Sequence, residues 1–438
     1  MSEWELVCDK SSSAKMTMSA FMTGVMIGAF VLGKFADNYG RRTCLIVTTV
    51  GIIVFNTVSA VAPNYKLYLL TKLVVGFFQA GFILASFVLV SELVGASKRT
   101  LIGMVFQSFF ALFIVVMSAL AYQLQHWRQL TMAISALGAP LLAINLLIPE
   151  SPRWLLSKNR SKEAIKVVEG IATGNGTTFT DKMRVSLEHD TASVSDVGDK
   201  MKVTEGLSDL FRDQHLASAS LIMIYSWFVN SAAYYGLTLA ASSAGSTDLY
   251  TATALSGAVE IPAALLTYWL LGVAGRRLSL CLTMVTGGGA CLLIQLISSL
   301  APALIQSLAL LGKLCLASSF SVVYIHSAEI FPTTVRNSGM GLVSVAARVG
   351  GIMAPFIVSL GEFIPQLQFT VLGLMSLLAG LLNLRLPETA GRQLPDTISD
   401  LSDLLRANNN RSPLKMMKSP RQKSLELESS GLLSDVDD

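Results

Sequence analysis

Gly40-Arg41-Arg42, met again as Gly275-Arg276-Arg277, decides how this chain folds. The echo does not stand alone. Glu92, followed seven residues later by Arg99, returns as Glu329 and Arg336, and Pro149-Glu150-Ser151 returns as Pro387-Glu388-Thr389. Subtracting positions gives offsets of 235, 237 and 238 residues. Three polar marks in one order at nearly one offset mean that half of the chain is repeated in register.

Between the marks the chain is apolar. Hydrophobic residues make up 52% and charged residues 14%, where an ordinary soluble domain has about a quarter charged. Runs such as 101–120 and 130–148 approach the ~20 residues that cross about 30 Å of hydrocarbon as a helix. They lack the polar face of a soluble core helix. Eleven spans are predicted, at about 17–36, 43–62, 67–90, 101–121, 129–148, 216–237, 250–272, 278–298, 303–325, 339–360 and 368–386. The expected fold is an all-α membrane protein of two parallel-repeat helical bundles, with a substrate site between them at mid-depth. The predicted organisation is an outer segment at 1–16 (by the family resemblance given below, the remnant of an extracellular loop), a five-helix bundle at 17–155, a cytoplasmic loop at 156–215, a six-helix bundle at 216–390 and a polar tail at 391–438.

The repeat also predicts a gap. The sixth span opens the second half, and the offset puts its partner at about −21 to 0, ahead of Met1. The pattern reads as twelve helices minus the first.

Basic residues alternate between loops as the positive-inside rule requires. Lys34, Arg41 and Arg42 follow the first span, Lys98 and Arg99 the third, Arg276 and Arg277 the seventh, and ten Lys and Arg lie in 153–212. The intervening loops carry Lys66, Arg128 or none. The expected orientation has the N-terminus outside and the C-terminus in the cytoplasm. The sequons at Asn159, Asn175 and Asn410 then face the cytoplasm and read as chance matches. Four of the five Cys (Cys44, Cys281, Cys291, Cys315) fall in or beside spans as small buried hydrophobes, and Cys8 stands apart.

Ionisable residues inside spans are costly and point to function. Glu260, Lys313 and Arg348 stand out, the last within Ala346-Ala347-Arg348-Val349-Gly350-Gly351. A fixed cation and a carboxylate in one cavity suit the two ends of a zwitterion; the alternative is that Glu260 pairs with Lys313 or Arg348 and locks helices together. Trp227, Asn230, Tyr234 and Tyr235 on the sixth span, and Phe106, Gln107, Phe109 and Phe110 on the fourth, are candidate substrate contacts, since aromatic faces attract organic cations. Packing or lipid-facing rings are the plainer reading of each. Asp37, Arg41 and Arg42 suit charge pairs that hold a gate shut, and the Glu92/Arg99 and Glu329/Arg336 pairs read the same way, with Glu150, Arg153, Arg276 and Arg277 in the surrounding motifs. No Walker sequence, metal-ligand spacing or nucleophile elbow appears, so neither an enzyme nor a cofactor is expected.

The decapeptide Gly33-Lys34-Phe35-Ala36-Asp37-Asn38-Tyr39-Gly40-Arg41-Arg42 resembles the signature loop of the major facilitator superfamily. Glu150-Ser151-Pro152-Arg153-Trp154-Leu155 resembles the end of the sixth helix in sugar and organic ion porters. Tyr234-Tyr235-Gly236-Leu237, Ala328-Glu329-Ile330-Phe331-Pro332-Thr333, Val335-Arg336-Asn337 and Pro387-Glu388-Thr389 through Leu394-Pro395-Asp396-Thr397 resemble solute carrier family 22. The resemblance runs to about residue 405 and implies a plasma-membrane transporter of small organic ions, working by alternating access in the lipid bilayer. Such a transporter is facilitative or uses a coupling ion (Na+ or H+) or a counter-substrate, and has no nucleic-acid partner. Within that resemblance Arg348 and Lys313 are similar to anion and carnitine members, while Glu260 is similar to cation and carnitine members. A carnitine-like zwitterion is the expected substrate, with organic cations and anions open. A non-transporting product that regulates a full-length partner is the competing expectation. In the polar segments, 161–171 is predicted helical. Ser412-Pro413 and Ser419-Pro420 read as short phosphorylation motifs, and Glu428 with Leu432-Leu433 as a short sorting motif.

Overall fold

A computed structural model of the chain describes residues 11–94, 99–177, 210–212, 214–241, 248–297, 302–332 and 335–390, with Trp4, Pro395 and Leu401 as isolated positions. Cys8, Asn410 and the tail motifs at 412–433 lie outside these residues. Fourteen helices are named here: α1 (Ser11–Tyr39), α2 (Arg41–Ala60), α3 (Tyr65–Leu93), α4 (Arg99–Gln123), α5 (Trp127–Leu147), α6 (Pro152–Ser157), α7 (Ser161–Gly174), α8 (Gln214–Ala241), α9 (Leu249–Ala258), α10 (Glu260–Val273), α11 (Gly275–Leu296), α12 (Pro302–Ile330), α13 (Arg336–Phe363) and α14 (Leu367–Asn383). Among the described residues nine helical segments are long and apolar enough to cross a membrane, and the shorter apolar helices Ser108–Gln123 and Leu367–Asn383 fall on the remaining two predicted spans.

The chain divides into two units. The first comprises Met1–Gln107 and Leu120–Thr204, the second Ser108–Ala119 and Glu205–Asp438. The middle of α4 therefore groups with the second unit, although the sequence places the whole fourth span in the first bundle.

In the first unit α1 lies along α3, and α2 packs on α3 and α5. The α1–α3 contact is backbone against backbone. A Cβ on Gly24, Gly28 or Gly76 would press into the carbonyl oxygens of Leu73, Phe77 and Phe21 respectively, the small-residue contact by which membrane helices gain dispersion energy. Leu32, Ala36, Cys44, Leu45, Ala85 and Leu89 form its core. Ser151 caps α6, its hydroxyl accepting from Trp154 N at 3.2 Å, with Pro152 in the first turn. The predicted helix at 161–171 is α7.

The second unit packs α8 against α13, α14 and α12, and α11 against α12 and α14. Its seventh span runs as α9 and α10 through Val259, which keeps helical dihedrals and donates to Leu255 O at 3.0 Å. Pro262, three residues on, lacks an N–H and so removes one bond from the ladder there. Asp248 caps α9: its carboxylate accepts from Thr251, which holds it below the usual carboxylate range. The four described Cys are buried and free.

Both units carry the same buried amide. Asn145 Nδ2 donates to Thr49 Oγ1 at 2.9 Å. Asn383, which the repeat aligns with Asn145, accepts from Ser226 Oγ at 2.9 Å and turns its Nδ2 to Met284 Sδ at 3.4 Å, and Met284 stands where the repeat puts Thr49.

Candidate functional site

The repeated motifs build one device twice. Gly40 (φ 104°), just before α2, and Gly275 (φ 78°), the first residue of α11, occupy the left-handed region, where only Gly is unstrained. A Cβ on Gly275 would also stand 2.8 Å from Glu388 Oε2, and one on Gly40 would collide with Glu150 Oε2. The room so kept admits a carboxylate to the helix N-terminus. Glu150 Oε1 accepts from Arg41 N at 3.0 Å and Arg42 N at 3.1 Å, and from Ser151 N at 2.9 Å. Glu388 accepts from Arg276 N (2.9 Å), Arg277 N (3.1 Å), Thr389 N (3.1 Å) and Ala390 N (3.0 Å). Negative charge there completes orphan N–H groups and opposes the positive end of the helix dipole.

The side chains of the same arginines make the ion pairs. Arg41 reaches Asp37 at 3.1 Å and Glu92 at 3.3 Å, and donates to Ala36 O at 3.1 Å. Arg42 donates to Leu146 O at 2.6 Å. Arg276 meets Glu329 at 3.1 Å. These contacts correct the expected Glu329/Arg336 pair: Arg336 donates instead to Phe331 O at 3.1 Å. The chain turns at Phe331-Pro332, which separates Arg336 from the end of α12, whereas Arg276 arrives at Glu329 from α11. Arg99 lies on α4 with its side chain outside the described set, as does that of Gln107. Arg153 is exposed on α6.

The second unit extends its copy. Thr389 donates to Glu329 Oε2 at 2.6 Å, so its oxygen accepts from His326 Nδ1 at 3.2 Å. This order places the ring proton on Nδ1, and the buried Nε2 has no hydrogen-bond partner among the described residues. The repeat aligns His326 with Leu89, so no internal symmetry announces it.

Deeper in the second unit, three of the predicted substrate residues meet. Lys313 Nζ lies 3.3 Å from Glu260 Oε1, with both side chains 1% exposed. It donates to Thr238 Oγ1 at 3.0 Å and Ser256 Oγ at 2.6 Å, and sits 4.9 Å from the centroid of the Tyr234 ring. The Tyr234 hydroxyl donates to Glu260 Oε1, while Glu260 Oε2 has no hydrogen-bond partner among the described residues. Glu260 thus takes the helix-locking partner named among the alternatives. Tyr235 packs edge-on against Tyr234 at 5.2 Å and lies within Coulombic range of both Glu260 and Arg348.

Arg348 stands differently. It is half-buried on α13, its Nε is buried without a partner, and among the described residues no carboxylate pairs with it. Two residues on, Gly350 brings α13 onto the α8 backbone at Phe228. Trp227 belongs to the hydrophobic core and donates to Ser327 Oγ at 2.8 Å; its ring touches Phe320 at 5.8 Å, which in turn touches Tyr234 at 5.9 Å. Asn230 is buried and accepts from Ser319 at 2.7 Å. Phe109 is 66% exposed. Thr238 and Ser256 went unnoticed in the sequence, where hydroxyls in spans carry no special mark. Among the described residues no group of His, Cys, Asp and Glu could hold a metal ion.

Comparison with known proteins gives the family. The chain matches the Sugar (and other) transporter family over residues 5–398. It is 38% identical over 408 residues to the Drosophila melanogaster "Organic cation transporter protein", spanning 91% of this chain and 73% of that one. It is 37% identical to "Solute carrier family 22 member 15" of Xenopus tropicalis, over 92% and 74% of the two chains. This chain is a member of solute carrier family 22. The human "Organic cation/carnitine transporter 2" is 32% identical over 98% of this chain and 76% of its own. Among solved structures, the major facilitator proton:xylose symporter XylE bound to 6-bromo-6-deoxy-D-glucose superposes with TM-score 0.65 at 17% identity, over 91% of this chain and 90% of that one. The inward-open xylose transporter XylE from E. coli gives 0.67 at 16%. At that identity the likeness shows the fold alone, an all-α one; it is the family match and the relatives at 32–38% identity that make the chain a multi-pass membrane transporter family member and not an enzyme.

Proposed function

We propose that this member of solute carrier family 22 is a secondary transporter of small organic ions at the plasma membrane, with its N-terminus outside, working by alternating access. Its substrates carry a carboxylate, a carnitine-like betaine above all. One observation carries the choice: Lys313 is neutralised by Glu260, so the cluster of Glu260, Lys313 and Arg348 keeps one uncompensated positive charge, on Arg348. A guanidinium binds a carboxylate by two parallel N–H donors, and the Tyr234, Tyr235 and Phe320 rings supply π faces for a quaternary ammonium head. The curated relatives bear organic cation and carnitine names, which supports the same class. In this reading the Arg41/Asp37/Glu92 and Arg276/Glu329 pairs are the contacts that break and re-form as a gate opens and closes.

Replacing Arg348 by Gln tests it. A charge-assisted hydrogen bond contributes about 1.5–3 kcal/mol, so KM for a labelled betaine is expected to rise about 10- to 100-fold, with uptake of a quaternary amine lacking the carboxylate little changed. An unaltered betaine KM in R348Q, at equal surface abundance, contradicts the assignment.

A further inference from the structure

His326 is fully buried on α12. It lies about 20 Å along that helix from Lys313, beyond the reach of the Glu260 cluster. A titratable ring so placed does not touch the substrate, and its work is to be sought at the end of α12, where Glu329 stands.

The two copies of the repeated device differ at one oxygen. Glu92 Oε2 lies 3.3 Å from Arg41 Nε, but among the described residues no hydrogen bond reaches it. Glu329 Oε2 lies 3.1 Å from Arg276 Nε and also accepts from Thr389 Oγ1 at 2.6 Å. Ser151, the repeat counterpart of Thr389, turns its hydroxyl to Trp154 N and caps α6 instead. Leu89, the counterpart of His326, has no donor to offer a hydroxyl.

A threonine hydroxyl carries one proton and rotates to suit its neighbours. His326 Nδ1 lies 3.2 Å from Thr389 Oγ1. An N–H donated to that oxygen leaves the hydroxyl proton for Glu329, and a hydrogen bond to a carboxylate is of the stronger kind. Three parts of the second unit thus converge on one carboxylate: α11 through Arg276, α12 through Glu329 itself, and the segment after α14 through Thr389. The Thr389 backbone is held there too, since its N–H donates to Glu388 at 3.1 Å. We propose that His326 is a positioning residue of the second unit's gate: it aims the Thr389 hydroxyl at Glu329 and so keeps that carboxylate in place for Arg276 to re-form the pair in each cycle. This rests on the transporter reading, in which the Arg276/Glu329 pair breaks and re-forms.

Betaine uptake at equal surface abundance, with amide hydrogen exchange of the purified full chain, tests it. Asn can present an amide N–H where Nδ1 stands, whereas Gln, nearer to His in size, reaches the place of Nε2. H326N is therefore expected to keep kcat within twofold of the unaltered protein. H326Q, H326L and T389V are expected to lower kcat at least fivefold, with KM moved less than twofold. The double variant H326L/T389V is expected to be no slower than T389V, because both changes act through one hydroxyl. Amide exchange at 388–390 is expected to be at least fivefold faster in H326L and T389V than in H326N or the unaltered protein. H326Q matching H326N, T389V matching the unaltered protein, or additive losses in the double variant overturn the proposal. Equal losses in H326N and H326L do the same, and reduce the ring to packing. If no chain takes up betaine while the exchange order holds, the transporter reading falls and the positioning of Thr389 stands.

Discussion

Replacing Lys313 by Met is expected to destabilise the protein by about 3–5 kcal/mol, the usual cost of leaving one member of a buried ion pair alone. Glu260 would be left at 1% exposure with only the Tyr234 hydroxyl to face it. The double variant E260Q/K313M removes both charges, and is expected to recover most of the loss, because an uncharged pair of similar volume needs no counter-ion. Thermal unfolding of the purified protein in one detergent separates the cases: K313M low, E260Q/K313M near the unaltered protein. If the double variant melts no higher than K313M, the pair is not the coupling that the 3.3 Å contact indicates. The same experiment bears on function. Should the double variant also keep uptake, the pair is a lock between α10 and α12 and Arg348 alone meets the substrate.

The second large effect is expected at Glu388. Its carboxylate accepts four backbone N–H groups, whereas Glu150 accepts three. Glu388→Ala orphans two donors at the start of α11 and two beside Glu388 itself, and is expected to cost about 2–4 kcal/mol, summing two or more charge-assisted bonds after partial rehydration. Glu150→Ala is expected to cost less. Glu388→Gln keeps the acceptor oxygen and should fall between. Melting temperature and the fraction of protein reaching the cell surface should follow that order. Equal melting of Glu388→Ala and the unaltered protein would mean that the repeated Gly and Glu do not act as a cap.

Much of this architecture was legible because it depends on local quantities. Span existence follows from hydropathy, and the polar marks at one offset follow from a physical necessity: each bundle needs a Gly without a Cβ and a carboxylate to fill the space. The pairings were less legible. Glu329 and Arg336 are close in sequence, yet the turn at Phe331-Pro332 intervenes and Arg276 reaches the carboxylate first. Trp227 looked like a cavity aromatic, but its indole N–H is taken by Ser327, a partner 100 residues away. His326 replaces an apolar repeat partner, and its role depends on a threonine 63 positions later.

Uptake by the chain reconstituted in liposomes is the most direct test of the central claim, that this fold moves organic ions carrying a carboxylate. A labelled trimethylammonium betaine, its choline-like analogue without the carboxylate, and an uncharged sugar should be compared at equal protein. The expected result is saturable betaine uptake, at least tenfold above the analogue in kcat/KM, with none for the sugar. Equal handling of the betaine and the analogue would contradict the role given to Arg348, and no uptake of any organic ion by correctly inserted protein would contradict the transporter reading itself.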